Sequence, residues 1–105
     1  MIYRATVTQS GTNDPDAIVH APAPAIEPVW TRHAEGVFWC DFGGAIDPDK
    51  LFVNATPREF PDEPFWIKSA RVAQSGTAVE IRTAKVEDRV DCDNVEFYVE
   101  IRIYP

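Results

Sequence analysis

His33 and Cys40 are the first pair in this sequence whose types could do chemistry. A thiolate nucleophile needs a base or a positive charge beside it. His33 precedes Gly36, and Cys40 follows it on what reads as a strand. The stretch from Gly36 to Cys40 spans about 13 Å when extended, so the two groups meet only if the chain folds back. Cys40 shares its parity with Phe38 and Phe42, which points to a small side chain packed in a core. Cys40 and Cys92 show no close ligand pairing with each other or with His20 and His33, as a metal site would require. A single Cys40–Cys92 bridge stays open, because distant strands can approach each other in a sandwich. A reduced compartment is the default.

The carboxylates gather at turns: Asp14 and Asp16, Asp47 and Asp49, then Asp88, Asp91 and Asp93. Alternating Asp residues can cage Ca²⁺ together with loop carbonyls. None has the full EF-hand spacing with its distal Glu, and ordinary turn chemistry explains Asp at these places. The same groups could be read as a glycosidase pair, but sequence gives no separation between them. Neither a metal nor a cofactor is expected. Trp30, Trp39 and Trp66, with Tyr98 and Tyr104, could form a face that stacks on sugars or contacts a protein. One or two of the tryptophans belong in a core. Tyr98 and Tyr104 are the better candidates, since they share the polar face of the last strand with Glu96, Glu100 and Arg102. The candidate binding residues are Tyr98, Tyr104, Trp30 and Arg32. No phosphate loop, dinucleotide fingerprint or nucleophile elbow is present, so no enzyme is expected.

The elements that must position these groups are strands. Val95, Phe97, Val99, Ile101 and Ile103 fall on one parity and Glu96, Tyr98, Glu100, Arg102 and Tyr104 on the other, which a strand sorts and a helix scatters. Phe65 to Ala73 and Thr77 to Ala84 flank Gln74-Ser75-Gly76, which reads as a hairpin. Within the first arm, Trp66, Ala70 and Val72 share the parity of Lys68. Ile2 to Thr8, Ala17 to Val19, Val29 to Arg32, Gly36 to Phe42 and Leu51 to Thr56 supply further strands. Ala21 to Pro28 and Pro57 to Pro64 are too proline-rich for a central strand and read as connections. The peptide QSGT occurs at Gln9 to Thr12 and again at Gln74 to Thr77, without matching flanks. It reads as reused turn chemistry.

About seven or eight short strands are therefore expected, forming one all-β antiparallel sandwich of jelly-roll or immunoglobulin-like size over residues 1–105. The 105 residues suit one core. Hydrophobic residues make up 45% of the chain, enough to argue against disorder. The net charge of −7 disfavours binding along a phosphate backbone, so no nucleic-acid partner is expected. The scarcity of lysine (Lys50, Lys68 and Lys85) beside many acids also suits a saline setting. No secretory leader and no membrane-spanning run is visible. The expected location is cytoplasmic or in a virion or appendage.

The order Tyr3, Thr8-Gln9-Ser10-Gly11-Thr12, Pro15, Val29-Trp30-Thr31-Arg32, Glu35-Gly36-Val37-Phe38 resembles a group of small uncharacterised bacterial and phage-associated proteins. The second half, with Gly36-Val37-Phe38, Val53 to Pro57, Trp66 to Thr83 and Phe97 to Val99, is similar to C-terminal β domains of phage tail fibres. The resemblance implies a β-sandwich in an oligomeric appendage and brings no catalytic residue. The expected role is a non-enzymatic structural or interaction domain that self-associates or binds another protein. A carbohydrate- or small-ligand-binding module is the alternative.

Overall fold

Eight strands form where the alternation runs, in a computed structural model that describes residues 1–21, 24, 26–58 and 64–105. They are β1 (Ile2–Gln9), β2 (Asp16–Val19), β3 (Val29–Ala34), β4 (Val37–Asp41), β5 (Leu51–Pro57), β6 (Phe65–Val72), β7 (Ala78–Lys85) and β8 (Val95–Ile103). A short 3₁₀ turn, Pro48–Lys50, precedes β5 and was not foreseen. Asp47 caps it, accepting a bond from the Asp49 amide at 2.9 Å, and Pro48 supplies a preset φ at its start. The expected connections at Ala21 to Pro28 and Pro57 to Pro64 lie partly outside the described residues.

The strands pair antiparallel throughout and make two four-stranded sheets. Sheet A has the order β2-β1-β8-β5 and sheet B the order β3-β4-β7-β6. Sheet B together with β5-β8-β1 has the neighbour order of a seven-stranded immunoglobulin-type sandwich, with the first strand standing in the last strand's place and β2 added outside it.

The inward residues of both sheets make one core. Tyr3, Ala5 and Val7 of β1 and Val95, Phe97, Val99 and Ile101 of β8 meet Phe38 and Cys40 of β4 and Val79 and Ile81 of β7. Phe97 sits at its centre, 6.0 Å from the Trp30 ring and 6.4 Å from that of Phe38. The Trp30 indole N–H donates to the Tyr3 hydroxyl at 3.0 Å, joining the sheets through a satisfied buried polar pair.

The parity of β6 does not run through. Ile67 faces Thr83 and Ser69 faces Arg82, so Lys68 is an extra residue in the ladder. Such a bulge shifts the alternation by one. Phe65 and Ile67 pack against the core before it, and Val72 does so after it. Trp66, which shares Val72's parity in sequence, is left outside.

Candidate functional site

The outer face of sheet B carries a row of direct cross-strand neighbours. Trp39 on β4 lies opposite Glu80 on β7, and Glu80 lies opposite Arg71 on β6. Side chains so placed are close enough to bond across the strands. The Trp39 indole N–H donates to Glu80 Oε1 at 3.1 Å. Arg71 Nε and Arg82 Nε both donate to Glu80 Oε2, at 3.1 and 3.2 Å. The β3–β4 ladder slips between Arg32 and Ala34, and His33 falls within the slip. Its exposed imidazole lies flat on Trp39, with ring centroids 4.0 Å apart and planes within 7°. His33, Trp39, Arg71, Gln74, Glu80 and Arg82 line a cleft of about 420 Å³, within the size range of small-ligand sites.

Glu80 is only 5% exposed. Burial works against its charge, but the bonds from Arg82, Trp39 and Arg71 outweigh it and hold the carboxyl below its ordinary range. A carboxyl depressed in the fold stabilises it above the unfolded-state pKa of about 4.3 and loses that contribution as pH falls through the folded value. Glu80→Gln should therefore flatten the acid limb of the stability curve, and it should cost about 1–2 kcal/mol at neutral pH through the weakened charged bonds. Urea titrations across the acid range check this. An unchanged acid slope in the variant would refute it.

The four residues singled out from sequence are not brought together. Trp30 lies in the core, 7% exposed, out of reach of a ligand. Tyr98 is half-buried on the outer face of sheet A, between Thr6 and Thr56, with its ring 6.0 Å from His20. Tyr104 follows β8 and is exposed, near the Arg102 guanidinium, which donates to Glu100 at 3.2 Å. Arg32 is at the end of sheet B, where its Nε and a terminal nitrogen grip the carboxylate of Asp93 at 3.1 and 2.8 Å.

That end of the molecule is a clamp of loops. Asp93 also accepts from the Gly36 amide at 3.0 Å, and Asp14 accepts from the Arg32 amide at 2.9 Å. The buried Gln9 side chain donates to the Gly11 and Asn13 carbonyls, at 2.8 and 3.1 Å, and accepts from the Asn94 amide at 2.9 Å. The first QSGT thus wraps around its glutamine. The second is a hairpin turn whose Gln74 faces solvent at the sheet B cleft. The other Asp groups work locally: Asp88 accepts from the Val90 amide, and Asp91 pairs with Lys68 at 3.1 Å. Among the described residues, no group of three or more His, Cys, Asp or Glu side chains is placed to hold a metal.

Cys40 and Cys92 are both buried and are not joined by a disulfide. Burial, with Asp41 nearby, pushes the Cys40 thiol well above its ordinary value. His33 projects on the outer face, over Trp39, whereas Cys40 points into the core, so the two form no nucleophile pair. In a Cys92→Ser variant, Cys40 should resist iodoacetamide at pH 8 under native conditions and react once urea unfolds the chain. Native alkylation as fast as that of a free thiol would show the core to be open.

Arg71, Glu80 and Arg82 were not singled out from sequence. Counting outward from the Gln74-Ser75-Gly76 turn sets Arg71 against Val79; the hairpin instead closes between Ala73 and Ala78, one residue later, and this brings Arg71 opposite Glu80. Among the described residues, no helix is long and apolar enough to cross a membrane. The chain matches no known family model, no curated protein and no solved structure.

Proposed function

We propose that the protein is a non-enzymatic interaction domain whose binding surface is the outer face of sheet B, and that it holds a small polar ligand, carbohydrate among the candidates. One observation carries this. A flat aromatic stack, His33 on Trp39, stands beside two arginines that share one buried carboxylate, and together they wall a cleft. Rigid strands hold each of these groups, which favours a preformed site. The nucleophile candidate lies in the core instead. A glycan array, with and without calcium, followed by NMR of the tryptophan indoles tests the proposal. A hit should shift the Trp39 signal. Hits that leave Trp39 unmoved would refute it.

A second proposal is self-association of the kind found in tail-fibre-like appendages. It is supported by Trp66, which the bulge at Lys68 turns outward to 42% exposure beside the exposed Val86. Light scattering on the wild type and on Trp66→Ser tests it. A dimer or trimer should fall to monomer in the variant, and a monomeric wild type at high concentration overturns it.

A further inference from the structure

We infer that the ligand of the sheet B cleft is an acidic sugar, a pyranose bearing a carboxylate, with Arg71 and Arg82 as its charge-reading residues. This rests on the cleft being a ligand site at all. Arg71 and Arg82 each give Nε to the same oxygen of Glu80. Among the described residues, neither guanidinium has another hydrogen-bond partner for its terminal nitrogens. The neutralising carboxylate lies below, with its side chain 7% exposed, while that of Arg71 is 65% exposed. Two guanidinium charges against one carboxylate leave an excess of positive charge facing outward, on a chain whose net charge is −7.

Glu80 is therefore a positioning residue. It fixes two planar forks side by side, and their open edges match an incoming carboxylate. The aromatic stack gives the second half of the specificity. His33 covers one face of Trp39 and presents its own outer face, a flat wall suited to the C–H face of a ring. Gln74 adds a neutral donor and acceptor at the rim for hydroxyl groups. An extended acidic peptide would use the arginines but not the wall, and a neutral sugar would use the wall but leave the excess charge unmatched.

The test is calorimetric titration of the full chain with a glucuronate-bearing disaccharide, its neutral glucose counterpart, an acidic peptide and inorganic phosphate, with the Trp39 indole signal followed in parallel. The glucuronate saccharide should bind at least roughly tenfold more tightly than the neutral one. Arg71→Gln and Arg82→Gln should each remove that preference. Arg71→Lys should keep part of it, because charge remains while the fork is lost. Thr56→Ala, on the opposite sheet, is the control and should change nothing. Circular dichroism confirms folding, and the exposed Arg71 variants keep the test decisive if the Arg82 variant does not fold. Equal binding of neutral and acidic sugars at Trp39 would overturn the ligand class and leave the cleft as a binding site. Phosphate or the peptide binding as tightly as the glucuronate saccharide would also overturn the ligand class. No movement of the Trp39 signal with any probe would overturn both.

Discussion

Replacing Gly36 with alanine should destabilise the protein by about 3 kcal/mol or more. Two costs combine. Gly36 has a φ of +68°, where a residue with a Cβ pays about 1–2 kcal/mol. A Cβ there would also lie 2.7 Å from both the Cys92 amide nitrogen and the Thr83 carbonyl oxygen. Those atoms are backbone and bonded to each other at 3.1 Å, and the Gly36 carbonyl itself accepts from the Thr83 amide at 2.9 Å. The turn after β3 is thus pressed against β7 and the end of the connection from β7 to β8, and neither side can yield without losing these backbone bonds. Gly11→Ala separates the two costs. Its φ is +58°, but nothing lies within 4 Å of the added atom, so it should cost only about 1–2 kcal/mol. Urea midpoints at constant slope measure both. Equal losses in the two variants would refute the close-approach argument.

Truncating Phe97 to alanine should cost about 3–5 kcal/mol, a large share of the roughly 5–15 kcal/mol that holds a domain of this size. The ring is fully buried between Trp30 and Phe38, one from each of the first two strands of sheet B. Trp30, one of the two rings against it, is tied to the Tyr3 hydroxyl by its indole N–H, so moving it into the gap would strain that bond. Phe97→Leu preserves most of the volume and should cost less than about 1.5 kcal/mol. A Phe97→Ala variant as stable as the leucine variant would mean that the two sheets collapse readily onto each other.

β8 was legible because its buried positions, Val95, Phe97, Val99 and Ile101, alternate with polar ones from Glu96 to Arg102. The ladder slip at Lys68 was not, since an inserted residue leaves no mark in composition. It moved Trp66 away from the side that its parity with Val72 suggested. Trp30 was placed among surface aromatics, yet it lies inside, because the Tyr3 hydroxyl satisfies its N–H there. Glu80 posed the converse difficulty. A glutamate on an outward position reads as solvated, and only the convergence of three strands on it makes it buried. A site built across strands depends on pairing, and pairing is the part that a linear pattern conveys least.

The central pair of sheet A joins β1 to β8, from Ile2 facing Arg102 to Gln9 facing Val95. These segments are separated by nearly the whole described chain, so their union is the most non-local event in folding. Assembly should accordingly be slow for a chain of this length, in the manner of high-contact-order β proteins. A ribosome that has released only the early strands holds a sheet whose middle is still missing, with the inner edge of β1 unpaired. Until the final segment emerges, that edge can pair with another nascent chain, which makes the interval before closure the time when aggregation threatens most.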